Sequence, residues 1–139
     1  MYTPKHFAAY ELVPKTIFSD LGDSAILVFD NRILQVMDQL REFFGKPIIV
    51  NDWKNGGSFE FRGFRPQYYV QGAKYSQHRF GRALDFNVKD MTDAEVQKQI
   101  LLNQKKFPLL TAMEKGTVGW SHIDCRNCDN TKGVQLFNP

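Results

Sequence analysis

Two short segments that lie far apart in the chain constrain its fold more than any other feature. The first is residues 76–85, SQHRFGRALD, and the second is residues 120–124, WSHID. They contain two histidines and an aspartate, His78, Asp85 and His122, which are residue types that bind catalytic metals. A straight strand would place His78 and Asp85 roughly 23 Å apart, at about 3.3 Å per residue. The chain must therefore bend between them, and Gly81 is the residue type that tolerates such a bend.

Both segments alternate in polarity as strands do. In residues 82–88, RALDFNV, Asp85 lies on the face opposite the apolar residues. In residues 121–125, His122 and Asp124 share one face and the small or apolar residues share the other. Two neighbouring strands of this kind would present the two aspartates and His122 to one cleft.

This set of side chains favours zinc. Hydrolytic zinc sites use three protein ligands and leave a fourth position for water, whose pKa the metal lowers to about 7. Manganese or cobalt would accept the same ligands. A lone histidine is more often a structural or surface residue, so the prediction depends on the combination and not on either histidine alone.

The pattern Ser-x-His-x-x-Gly-x-Ala-x-Asp, followed by Trp-x-His-x-Asp, resembles the signature of the zinc D-Ala-D-Ala carboxypeptidase family. That family also contains phage endolysins and shares its fold with hedgehog-type signalling domains. Residues 40–51 are similar to the helix, turn and strand that precede its site, and residues 63–66, GFRP, resemble its Gly-aromatic-Arg element. The similarity covers roughly residues 30–126. It implies an α+β fold with a small antiparallel sheet flanked by helices, in one zinc peptidase-like domain spanning residues 1–139.

The resemblance also implies roles for individual residues. His78, Asp85 and His122 would bind Zn²⁺, and Arg65 would hold a substrate carboxylate or polarise the scissile carbonyl. The planar guanidinium suits this role because it can make two parallel charge-assisted hydrogen bonds. The implied reaction is hydrolysis of a peptide bond that involves a D-amino acid in the stem peptides of bacterial peptidoglycan, by a carboxypeptidase or an endolysin.

The chain departs from the family at the catalytic acid. Many members place it three residues before the last histidine ligand, where this sequence has Gly119. Asp124 and Glu114 are the available substitutes, and we favour Asp124 because alternate residues of a strand share a face. Asp124 has a second interpretation, in which it only orients a histidine or pairs with Arg126 or Arg82. Glu114 has one as well, as a charge on a helix surface.

The remaining segments predict the scaffold. The length of 139 residues suits one domain, and 42% hydrophobic residues indicate a folded chain. Helical spacing of apolar residues predicts a helix over residues 31–44, and a capping box predicts a second from Thr92 to about Lys106. Residues 46–51 are predicted to form a short strand, and residues 51–73 an extended loop or a ragged hairpin over the site.

The positive charge near the predicted site indicates the kind of binding partner. Residues 54–82 contain six cations and the single acid Glu60, which favours an anionic partner such as a wall peptide with free carboxylates. Interleaved aromatic residues leave nucleic acid as a weaker alternative. A further alternative is a non-catalytic module that keeps zinc for stability or for gripping a wall peptide or virion protein, and the missing acid at Gly119 is its best support. The oligomeric state is not specified.

The sequence has no secretion signal and no apolar run long enough to cross a membrane, which predicts residence in the cytoplasm after synthesis. A wall enzyme of this kind would fit a phage lysin in an infected bacterium or a virion component. Cys125 and Cys128 form a single Cys-x-x-Cys pair, whereas a structural zinc site needs four ligands and typically a second pair. We expect both thiols to stay free because the cytoplasm is reducing.

Overall fold

The computed structural model describes residues 1–139, which form three α-helices and five β-strands. The helices are α1 (Lys15–Leu21), α2 (Asn31–Phe44) and α3 (Asp93–Leu102). The strands are β1 (Ile48–Ile49), β2 (Ala83–Val88), β3 (Ala112–Glu114), β4 (Ser121–Asp124) and β5 (Gln135–Phe137). Short 3-10 helices cover Ala9–Glu11, Gly22–Val28, Trp53–Asn55, Gln77–Phe80 and Gln104–Lys106.

Helix α2 has the predicted bounds because both ends carry strong local signals. The side chain of Asp30 accepts a hydrogen bond from the Arg32 amide at 3.0 Å, and Gly45 ends the helix in the left-handed region at φ 61°. The helix buries an apolar face against β2. It therefore forms one wall of the core behind the sheet.

Helix α3 is shorter than predicted. Its capping box is present, since Thr92 Oγ1 accepts from the Glu95 amide and Glu95 accepts from the Thr92 amide. The helix ends at Leu102 instead of continuing to Lys106, because Asn103 leaves the helical region and its side chain donates to the Gln99 carbonyl oxygen. The last predicted turn is a separate 3-10 helix.

The strands form one sheet in the order β1-β2-β4-β3-β5. The first three pairings are antiparallel, as predicted, but β5 pairs with β3 in parallel, so the sheet is mixed. The strand predicted over residues 46–51 is limited to β1, and residues 51–73 form a loop without strands, as expected. Glu114 lies at the end of β3, so its interpretation as a helix-surface charge was wrong.

The apolar face of the sheet lies over one hydrophobic core of 24 buried residues, which the helices cover from the other side. Leu84, Phe86 and Val88 contribute the inner face of β2, and Ile123 contributes that of β4. The α+β class is thus confirmed, and the opposite face of β2 and β4 is left free for polar side chains. No helix has the length and apolar character required to span a membrane.

Candidate metal centre

His78 is held by a sharp turn just before β2. It lies in the 3-10 helix Gln77–Phe80, which Gly81 ends with φ 63°. A Cβ at this glycine would overlap the carbonyl oxygen of Val28, so both its backbone angle and its surroundings require glycine. The predicted bend between His78 and Asp85 is present at the predicted residue.

Asp85 and His122 lie side by side because β2 and β4 pair in the appropriate register. They are direct partners in the antiparallel ladder, and so are Ala83 and Asp124. Partners in a ladder point to the same face of the sheet. The carboxylate Oδ1 of Asp85 lies 2.7 Å from Nδ1 of His122 and 3.3 Å from Nε2 of His78.

The second nitrogen of each imidazole donates to a protein acceptor. Nδ1 of His78 lies 2.8 Å from the Gly63 carbonyl oxygen, which can only accept, so its Nε2 carries the free lone pair. Nε2 of His122 lies 3.1 Å from Oδ2 of Asp124. Histidines that bind metals are commonly fixed by this kind of hydrogen bond at the distal nitrogen. The other ring nitrogen of each residue, Nε2 of His78 and Nδ1 of His122, faces Asp85.

The three side chains suit a zinc ion. One ligand atom from each of His78, Asp85 and His122 lies within 4.8 Å of the other two, and all three residues are buried. Two imidazole nitrogens and one carboxylate oxygen are a common donor set for zinc with an open fourth position. The ligand set expected from the sequence is thus brought together in space.

The pKa values of Asp85, His78 and His122 are shifted because the three side chains are buried and in contact. Burial alone would raise the pKa of Asp85, but the two histidines hold it well below its usual range. Burial lowers the pKa of His78 despite the nearby aspartate. For His122 the effect of burial is outweighed by hydrogen bonds to Asp124 and Asp85, which raise its pKa to about 9. Without metal, His122 is an imidazolium between two carboxylates.

Arg65 lies beside the three candidate ligands and is already hydrogen-bonded within the protein. Its Nη2 donates to Oδ2 of Asp85 at 2.8 Å and its Nε donates to the Phe61 carbonyl oxygen at 2.8 Å. This pairing leaves Oδ1 of Asp85 for the histidines. Gly63, in the same segment, packs so closely that an added Cβ would overlap the Leu12 carbonyl oxygen, which explains the glycine of the Gly-aromatic-Arg element.

Asp124 lies behind His122, away from the open side of the site. It is fully buried, and its carboxylate is shared between Nε2 of His122 and the guanidinium of Arg126, whose Nε lies 2.8 Å from Oδ1. Arg82, the other cation considered as its partner, pairs with Asp30 instead, at 3.5 Å. The contacts are those of a residue that orients an imidazole.

Glu114 faces the open side. Continuing the β3–β4 register, in which Met113 pairs with Ile123, brings Glu114 level with His122. The indole Nε1 of Trp120 lies 3.3 Å from Oε2 of Glu114. Gly119 adopts φ 98°, and its amide donates to Asp93 at 2.7 Å. The position where the family places an acid therefore has a backbone conformation that disfavours any side chain.

A cavity of about 540 Å³ opens over the site. Arg65, Glu114 and the three ligand residues line it, and Asp124 does not. Phe137 of β5 forms part of the wall, with its ring centroid 5.6 Å from that of His122. Sequence reasoning missed Phe137, because the polar residues 126–134 separate it from the motif without any signal for a strand that returns to the site. It also missed Trp120 as a partner of Glu114.

A comparison with known families supports the resemblance. The family model described as Peptidase M15 matches residues 10–124, which is most of the chain. No curated protein and no solved structure matches it. Together with the α+β fold and the grouped histidines and aspartate, this match identifies the chain as a member of the M15 family of zinc D-Ala-D-Ala carboxypeptidase-like peptidases.

Proposed function

We propose that the protein is a zinc-dependent peptidase that cleaves a bond involving a D-amino acid in peptidoglycan stem peptides. The observation that carries the proposal is the arrangement of His78 Nε2, Asp85 Oδ1 and His122 Nδ1, each facing the others with its remaining polar atoms satisfied. Family membership supports a peptidase acting on peptidoglycan.

His78, Asp85 and His122 would hold the metal. A zinc ion held by these residues would supply a Lewis acid and a bound water of lowered pKa. Arg65 keeps Asp85 oriented through Nη2, and its Nη1, which makes no hydrogen bond within the protein, is available to a substrate carboxylate or to the scissile carbonyl.

Glu114 is the residue that we propose as the acid and base. Its carboxylate lines the cavity and keeps Oε1 free, whereas both oxygens of Asp124 are engaged. Glu114 would take a proton from the attacking water and deliver it to the leaving amine, while Trp120 fixes its orientation. Asp124, which the sequence favoured for this step, is proposed instead to position His122.

The anionic character of wall peptides fits a site that presents Arg65 to the cavity. The other cations near the site are largely committed to the protein itself. Arg62 donates to Asn87 at 2.7 Å, and Arg79 donates to the carbonyl oxygen of Tyr69. Lys54 lies 3.9 Å from the ring centroid of Tyr10. These contacts occupy donors of the three side chains and fix their positions, so fewer donors remain for a phosphate backbone, which favours a small anionic substrate over nucleic acid.

The test is turnover of purified stem-peptide fragments ending in D-amino acids, with mass-spectrometric identification of the products. We expect cleavage that a chelator abolishes and that added zinc restores. Undiminished cleavage by the chelated protein would overturn the metal mechanism. No cleavage by a zinc-loaded protein would favour the non-catalytic binding module.

Two substitutions separate the roles of the acids. Glu114→Gln should lower kcat by about 10²–10⁴-fold and leave zinc affinity unchanged, since it removes only a proton carrier. Asp124→Asn should instead weaken zinc binding by about 10–100-fold. Glu42→Gln, which affects an exposed ion pair with His6, is the control for both. Loss of turnover in Asp124→Asn at unchanged zinc affinity would reverse the two assignments.

A further inference from the structure

Asp124 depends on one residue beyond the part of the chain that matches the family. Ala83 and Ala112, the residues paired with Asp124 on the two neighbouring strands, have no polar side-chain atoms. His122 and Arg126 therefore provide the only side-chain hydrogen bonds to Asp124. Arg126 also donates its backbone amide to Oδ1 of Asp124, at 3.1 Å. The family match ends at residue 124, and Arg126 lies just outside it.

Phe137 holds Arg126 in this position from the other side. The guanidinium carbon of Arg126 lies 4.2 Å from the centroid of the Phe137 ring, a distance typical of a cation–π contact. The same ring meets His122 edge-on, at an interplanar angle of 85°. Strand β5 is fixed to β3 by hydrogen bonds from Lys115 to the Phe137 carbonyl oxygen and from Gln135 to that of Thr111. The ring therefore has a defined place in the sheet.

We propose that Arg126, held between Asp124 and Phe137, is a positioning residue of the metal centre. The guanidinium fixes both oxygens of Asp124, and Asp124 in turn fixes Nε2 of His122 so that Nδ1 faces Asp85 and would be presented to a metal. The inference rests on the proposed function only through the metal site and does not require the reaction.

The geometry of the guanidinium is essential to this role. Its planar fork contacts both carboxylate oxygens while its central carbon lies over the phenyl ring, two contacts that a lysine ammonium cannot make together. Without Arg126, Oδ1 of Asp124 keeps only a backbone amide as partner, and the carboxylate can turn away from His122. The imidazole would then lose the hydrogen bond that sets its orientation.

The test compares zinc affinity and the visible spectrum of the Co²⁺-substituted protein for Arg126→Met and Arg126→Lys. We expect zinc affinity to fall by about 10–100-fold in Arg126→Met and by less in Arg126→Lys, with an altered cobalt spectrum in both. Arg82→Met is the matched control, since Arg82 also pairs with an aspartate and its side chain is 36% exposed against 32% for Arg126. It should bind zinc within about twofold of the unaltered chain, on the scale of a surface ion pair.

Phe137→Leu provides a second route if Arg126→Met does not fold. It should also weaken zinc binding. The double variant Arg126→Lys/Phe137→Leu should lose less zinc affinity than the sum of the two separate losses, expressed as free energies. Leu136→Ala, the exposed neighbour in β5, is its control. Zinc affinity and cobalt spectra equal to those of the controls would overturn the inference, even if the melting temperature fell. If the unaltered chain bound no zinc, the proposed function and this inference would fail together.

Discussion

The metal-free protein should lose stability as the pH rises from 6.5 to about 9. His122 has its pKa raised from 6.5 to about 9, because hydrogen bonds to Asp124 and Asp85 outweigh the effect of burial. The folded state then holds a proton that the unfolded chain releases above pH 6.5. This contribution to stability is fully present below pH 6.5 and is lost as the pH rises through 9.

The size of the effect follows from the pKa change. At about 1.4 kcal/mol per pKa unit, the rise corresponds to about 3 kcal/mol in the free energy of unfolding. His78 acts in the opposite direction, since its lowered pKa makes the unfolded chain take up the proton first when the pH falls below 6.5. The metal-free protein should therefore be most stable near pH 6.5.

Urea unfolding in the presence of a chelator, at half-unit steps from pH 5.5 to 9, measures this dependence. His122→Gln should abolish the alkaline decline, whereas His6→Gln, a substitution at a surface imidazole beside Glu42, should keep it. A flat or rising stability between pH 6.5 and 9 in the unaltered protein would refute the reasoning. Survival of the decline in His122→Gln would refute it as well.

Three further substitutions, one of them with a comparison variant, test the fold. Asp85→Asn should abolish zinc binding. It should also lower the free energy of unfolding of the chelated protein, measured in urea, by about 3–5 kcal/mol, because Arg65 loses its buried partner. An unchanged free energy would contradict the stabilising role of this ion pair. Gly81→Ala should lower the free energy of unfolding by about 3 kcal/mol or more, because the new Cβ would overlap a carbonyl oxygen. Gly45→Ala should lower it by only about 1–2 kcal/mol, because Gly45 has a similar φ but open space around it. Equal melting temperatures of the two variants would contradict this reasoning. Thr92→Ala should remove about 1 kcal/mol through loss of the helix cap, and no change in melting temperature would show that the cap contributes nothing.

The positions of His78, Asp85 and His122 within their own segments could be predicted from local rules, whereas the β2–β4 pairing that brings Asp85 beside His122 is a tertiary contact. Strand alternation placed Asp85 and His122 on polar faces, and the conformational freedom of Gly81 identified the bend after His78. Both features need only a few consecutive residues. Helix α2 was predictable for the same reason, since its cap, its apolar spacing and its terminal glycine all lie within one segment.

The positions of Asp124 and Glu114 relative to the His122 imidazole could not be predicted from sequence. Alternation correctly put Asp124 on the same face as His122, but it does not show which side of the imidazole each acid occupies. That distinction depends on Arg126 covering Asp124 and on β3 bringing Glu114 level with His122, both of which are tertiary contacts. The parallel pairing of β5 was not predicted, because this strand has only three residues and follows a mostly polar segment. Such a short strand shows too little periodicity in the sequence.

The pairing of β2 with β4 has a consequence for how the proposed metal would enter the protein. Asp85 and His122 are 37 residues apart and share no element, so an unfolded or partly assembled chain offers no complete chelating set. Ion uptake is then coupled to closure of that long connection, and zinc at about a thousand times its dissociation constant would add about 4 kcal/mol to the folded state. The amount of bound metal would therefore report the fraction of correctly folded molecules. The supply of zinc in the cell would influence how much of the protein survives proteolysis.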